Sequence, residues 1–146
     1  MEAPKARDAL LRVMASSSIL FPTAEDLELL YPGKSEKEAV EALRAAGADI
    51  VALTRGVEGA VIFHGDARFD CCGHDVAQID QDGAGDCFCG TFLAMVAEGH
   101  SIETAGRYAN AAAALACGKR GPMEGNSSLI EIEALLSSQQ EERKRA

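Results

Sequence analysis

Ile79-Asp80-Gln81-Asp82-Gly83-Ala84-Gly85-Asp86-Cys87-Phe88 decides how this chain of 146 residues reads. Three small residues, Gly83 to Gly85, predict a tight turn, and the apolar residues after Asp86 predict that the turn opens a helix running to Glu98 with Gly99 as its stop. The first N–H groups of such a helix have no intrahelical acceptor, and the aligned peptide dipoles add partial positive charge there. The turn can therefore cradle an oxyanion, with the Asp86 carboxylate beside it. Taken alone, Gly83–Asp86 reads first as a plain N-cap with a tight turn. Two phosphate loops fail outright: a dinucleotide fingerprint would need glycine where Phe88 stands, and a Walker loop would need Gly-Lys-Ser/Thr.

Working outward, the helix is apolar almost all round (Phe88, Phe92, Leu93, Met95, Val96), which predicts an interior position. Gln78–Asp80 before the turn is read as a short strand. Ser101 opens a second helix through Cys117, rich in alanine at Ala111–Ala114, and Ser128-Leu129-Ile130-Glu131 caps a last one, with 139–146 as a charged tail that frays. Upstream, Ile19–Pro22 reads as a strand feeding a helix capped at Thr23-Ala24-Glu25-Asp26. Ser35-Glu36-Lys37-Glu38 opens another, with Ala39, Val40, Leu43 and Ala46 on one face and Gly47 as stop. Asp49–Thr54 is a strand covered on both faces, and Ala60–His64 and Ala67–Cys71 form a hairpin around Gly65-Asp66. Strands alternating with helices predict a layered α/β sheet in a single domain, residues 1–146.

The composition is that of a folding globular chain, 47% hydrophobic and 25% charged. With 14 Lys plus Arg against 23 Asp plus Glu the formal net charge is -9, which excludes the basic footprint of a nucleic-acid binder. The longest apolar stretches fall short of the ~20 residues of a membrane span and no signal-peptide core opens the chain, so no nucleic-acid or membrane partner and a cytoplasmic location are expected. Five cysteines without a C-x-x-C pair read as reduced packing residues. Cys87, close to a helix N-terminus, carries the further expectation of a lowered thiol pKa. His64, His74 and His100 have no partner at metal or triad spacing and read as loop or edge residues.

Ile79–Gly90 (IDQDGAGDCFCG) resembles the signature D-T-T-G-A-G-D-x-F of the PfkB-type, or ribokinase-like, carbohydrate kinases. Three further segments agree in order. Leu53–Ala60 (LTRGVEGA) resembles the family's nucleotide loop T-x-G-x-x-G, Ala109–Ala113 its adenine-side helix, and Gly121-Pro122-Met123-Glu124-Gly125 its closing loop. The resemblance covers about Ile19 to Leu136. It implies a three-layer α/β/α ribokinase-like (Rossmann-like) sheet, incomplete at its N-terminal side, and transfer of the ATP γ-phosphoryl group to a hydroxyl of a sugar or keto-deoxy sugar acid.

By position, the resemblance makes Asp86 the base and gives the backbone of Gly83, Ala84 and Gly85 the charge of the transferring phosphoryl. Thr54, Gly56 and Gly59 would lie along the nucleotide, Asn110 near the adenine, and Asp26 and Asp80 would serve Mg²⁺. A monovalent cation such as K⁺ is a further implied cofactor. Two departures stand out. The signature's two threonines are Gln81 and Asp82 here, and carboxylates ~5 Å apart repel by about 3 kcal/mol at an effective dielectric of 20, so Asp82 must point away or share a cation. The family's N-x-x-E aligns with Thr23–Asp26, which a capping box explains equally well.

Only the ATP-side half of the family pattern is matched. A strand to pair with Ile19–Pro22 is expected from the missing N-terminal half, and so are the groups that read the sugar. The chain is therefore expected to be a homo-oligomer or to depend on that half, and to be inactive alone. A kinase-derived fragment that folds without turnover, and a nucleoside kinase of the same fold, stay open as alternatives.

Overall fold

A computed structural model describes residues 3–121, 123 and 125–145. They form two compact units, one built from residues up to Gly56 together with Ala60–Asp70, the other from Val57–Gly59 and everything after Asp70.

The first unit is organised by β2 (Ile50–Thr54), whose residues Val51, Ala52 and Leu53 are fully buried, as the continuous apolar run requires. β1 (Ile19–Leu20) pairs with it in parallel, Ile19 opposite Ile50, and β3 (Gly59–His64) antiparallel, Thr54 opposite Ala60. With β4 (Ala67–Cys72) the sheet order is β1-β2-β3-β4. So β1 stands at one edge of this sheet, paired on one side with β2. β1 is also shorter than predicted, because Pro22 has no N–H for the ladder. Its carbonyl still accepts from Thr54 N at 3.0 Å, and Thr23 bridges Thr54.

Both predicted capping boxes form, and each starts a helix. Thr23 opens α2 (Ala24–Leu30) and Ser35 opens α3 (Glu36–Ala45). Leu27, Ala39, Val40 and Leu43 pack with Leu20, Val51 and Leu53 in one core, while Ala46 ends up exposed at the cap of α3. α1 (Ala3–Met14) is a helix that the sequence reading did not assign. Its Arg7 Nε donates to Leu30 O at 2.7 Å, and Met14 packs against the core.

The second unit is helical. α4 (Ala84–Ala97), α5 (Ile102–Cys117) and α6 (Leu129–Arg145) follow in sequence. Phe88, Phe92 and Met95 of α4 are buried, the two rings stacked with centroids 6.3 Å apart. α5 packs along α4, and its alanines at 105, 109, 112 and 116 are buried. Ala111, Ala112 and Ile132 bury the contact with α6, flanked by Tyr108, Leu115, Leu135 and Leu136.

Three expectations are corrected here. Gln78–Asp80 is not a strand, because Ile79 N and Asp80 N both donate to Cys117 O, at 2.7 and 3.1 Å, and so follow the end of α5 instead of a neighbouring strand. α4 is buried on one face only, with Leu93 45% exposed and Gly90, Ala94 and Ala97 open, since an apolar sequence does not supply the partner that covers it. The charged tail continues α6 as helix to Arg145, in keeping with the high helix propensity of Gln, Glu, Lys and Arg.

Candidate active site

The glycine turn forms as read. Gly83 stands at the N-cap of α4 with φ 82°, the left-handed conformation that glycine adopts without a Cβ penalty, and no side chain caps the helix. Ala84 N–H is engaged by Gln81 O at 3.2 Å, and Cys87 N donates to Gly83 O at 2.9 Å as the first intrahelical bond. The N–H groups of Gly85 and Asp86 belong to the first turn, which has no intrahelical acceptors. A Cβ built on Gly85 would meet nothing within 4 Å, so the space above the turn is open. Asp86, third in the helix, is exposed and makes no hydrogen bond or ion pair with the described residues. A cradle with donors, open space and an unengaged carboxylate can hold a phosphoryl group and accept a proton from a neighbouring hydroxyl.

The cysteines beside it are not activated. Burial first, and then the Asp86 carboxylate, push the thiols of Cys87 and Cys89 up, the opposite of what a helix N-terminus alone predicts. The Cys87 thiol donates to Asn126 Oδ1 at 3.6 Å. Its position is a packing one.

Asp80 is engaged on both oxygens. Oδ1 accepts Asp82 N–H at 3.0 Å and Oδ2 accepts Gly121 N–H at 2.9 Å, and these bonds hold its carboxyl below the usual carboxylate range. Asp82 is exposed one residue before Gly83. Lys119 Nζ donates to Asn126 O, Ser127 Oγ and Glu131 Oε1, closing the chain after α5 onto the start of α6. Of the segment Gly121–Gly125, Pro122 and Glu124 lie outside the described residues.

Asn110 is buried, and its Nδ2 donates to Cys72 O at 2.8 Å, a tie between α5 and the end of β4. Gly59 has a neighbour-imposed role. A Cβ there would stand 2.0 Å from Cys71 O, and at Gly73 it would stand 1.9 Å from Val57 O, because segments 57–59 and 71–73 touch backbone to backbone. The sequence reading missed Gly73 and the Gly121 N–H. Only the spacing of Gly59 and Gly73 across the hairpin could have signalled the former.

In the first unit, Thr54 Oγ1 donates to Pro22 O at 3.4 Å and Gly56, with φ 55°, has open space around its Cβ direction. Asp26 Oδ2 accepts Thr23 N and Oγ1 at 2.8 and 2.9 Å, so the capping box exists and brings Asp26, Thr23 and Thr54 together. Among the described residues no three His, Cys, Asp or Glu side chains gather as a metal site. No described helix is long and apolar enough to cross a membrane.

Comparison with known proteins places these features in a family. The model for pfkB family carbohydrate kinases matches residues 1–129. The 5-dehydro-2-deoxygluconokinase of Bacillus licheniformis is 31% identical over 87% of this chain and 40% of its own length. The 2-dehydro-3-deoxygluconokinase of Thermoproteus tenax is 32% identical over 91% and 41%. An E. coli protein provisionally assigned as ribokinase II, solved with ATP and Mg²⁺, superposes with a TM-score of 0.87 at 36% identity, covering 92% of this chain and 44% of that one. The chain thus spans about two fifths of the length of the curated relatives it matches, and it has the ribokinase-like α/β fold. It belongs to the PfkB family of carbohydrate kinases.

Proposed function

We propose that this chain is the nucleotide-side part of an ATP-dependent sugar kinase whose acceptor is a sugar or keto-deoxy sugar acid. The observation that carries the reading is the left-handed Gly83 opening α4 with no side-chain cap, open space over Gly85, and the unengaged Asp86 carboxylate in the first turn. The two gluconokinase relatives support a keto-deoxy sugar acid as the acceptor class.

ATP, when bound, supplies the γ-phosphoryl group. The N–H groups of Gly83, Gly85 and Asp86 face negative charge that grows on the transferring oxygens, and Ala84 contributes its small side chain, its own N–H being engaged. Asp86 accepts the hydroxyl proton at a carboxylate oxygen as the acceptor oxygen attacks. Gly59 and Asn110 act by holding backbone in place.

The residues present fit phosphate and do not form a dedicated Mg²⁺ cage. Asp80 holds two backbone N–H groups and Asp26 holds its cap. Mg²⁺, which keeps several waters and favours phosphate oxygens, would enter with the nucleotide.

Calorimetric titration of the purified chain with ADP and Mg²⁺ tests the reading. Saturable binding is expected, lost in Gly85→Val with the helical circular dichroism retained. Unchanged affinity in Gly85→Val, or no binding by the wild type, overturns it.

A further inference from the structure

Asp80 does more than stand next to the turn. Its two carboxylate oxygens face two different segments, Asp82 N–H in the turn before α4 and Gly121 N–H in the chain that follows α5, 41 residues away. The backbone of Asp80 is itself fixed, its N–H and that of Ile79 both reaching Cys117 O at the end of α5. From the other side, Cys87 in the first turn of α4 reaches Asn126, whose carbonyl accepts from Lys119. The end of α5, the glycine turn, the first turn of α4 and the segment after α5 are thereby joined in one ring of hydrogen bonds. Asp80 is the member that touches three of its parts.

We infer that Asp80 is a positioning residue: its carboxylate sets the glycine turn and the segment at Gly121 in one fixed relation. The chemistry supports a carboxylate in this place. An ionised group accepts from two backbone N–H groups at once through separate oxygens, and bonds to a charged acceptor are roughly twice as strong as neutral ones. An asparagine keeps one oxygen and presents an NH₂ to the second N–H, which is then left without an acceptor. An alanine frees both. Occupation of the cradle is then felt at Gly121, although Gly121 is not in the turn. The part of this inference that concerns nucleotide rests on the proposed function, and the part that concerns the link does not.

Amide hydrogen exchange resolved by residue, on the wild type, Asp80→Asn and Asp80→Ala, separates the two. Exchange at Asp82 or Gly121 is expected to accelerate at least about tenfold in Asp80→Asn and at both in Asp80→Ala, the size of a lost hydrogen bond to a charged group. Core amides at Phe92 and Ala109 are expected to keep their wild-type rates. ADP with Mg²⁺ is expected to slow exchange at Gly121 in the wild type and to leave it unchanged in Asp80→Asn. Wild-type exchange at both Asp82 and Gly121 in Asp80→Asn overturns the inference. So does acceleration that is matched across α4 and α5, which marks general destabilisation. If Asp80→Ala does not fold, the isosteric Asp80→Asn decides alone. If the wild type binds no nucleotide, the proposed function fails while the exchange at Asp82 and Gly121 without ligand still accepts or rejects the link.

Discussion

Gly59→Ala tests whether the second glycine of the LTRGVEGA segment serves a ligand or the fold. Gly59 has φ 103°, and an alanine Cβ there would stand 2.0 Å from Cys71 O, 2.7 Å from Gly73 N and 2.8 Å from Cys72 C. Three costs follow. Holding a non-glycine residue at such a φ costs about 1–3 kcal/mol. Forcing segment 57–59 away from 71–73 is an overpacking of about 1–3 kcal/mol. The Gly73 N–H to Glu58 O bond, 3.0 Å long, stretches or breaks, for about 1 kcal/mol more. The loss is therefore about 3–7 kcal/mol, a large share of the 5–15 kcal/mol that holds a typical domain together. Gly56→Ala is the matched control, because Gly56 has φ 55° but nothing within 4 Å of its Cβ, so only about 1–2 kcal/mol of backbone strain applies. Urea unfolding followed by circular dichroism gives both values. A Gly59→Ala loss equal to that of Gly56→Ala would refute the argument from close backbone approach.

Asp86→Asn is expected to lower turnover at least about a hundredfold in an enzyme that contains this chain, with little change in nucleotide affinity, as steady-state kinetics and titration would show; near wild-type turnover removes Asp86 from the chemistry. Asp82→Thr is expected to tighten binding of ADP with Mg²⁺ in calorimetry by removing a carboxylate one residue from the cradle, and weaker binding would mean that Asp82 helps hold the nucleotide. Glu131 is held below its ordinary value of 4.5 by the backbone and side chain of Ser128 and then by Lys119. A depressed carboxylate contributes stability above its unfolded pKa and loses it as pH falls through the folded one, so wild type and Glu131→Gln should converge in thermal midpoint between pH 5 and the acid limit. A constant gap across that range would remove Glu131 from the pH dependence.

The sequence was most legible where a local pattern has a local cause. The capping residues Thr23, Ser35, Ser101 and Ser128 all accept from a backbone N–H three residues on, and the run Ile50–Leu53 is buried throughout, because spacing and hydrophobicity determine both. Gly83 could be read from its place before an apolar helix. Asn110 could not, since nothing near it in sequence tells that its amide will meet the Cys72 carbonyl 38 residues away. The same holds for Gly59, whose neighbours come from across a hairpin, and for Asp80, whose second partner lies beyond α5. α1 was missed because its pattern before Ile19 matched no motif, and the exposed face of α4 because composition records what a side chain is and not what lies against it.

The mixed pairing around β2 sets an order in time. Thr54 and Ala60 pair across six residues of chain, whereas Ile19 and Ile50 pair across thirty-one with two helices between them. Closing the longer loop costs more chain entropy before any contact is gained, and contacts between distant residues slow folding. The β2–β3 hairpin is thus expected to form its register first, giving β1 a finished edge on which to settle. β1 brings only two residues to that edge, so it is the strand that opens soonest when the sheet breathes.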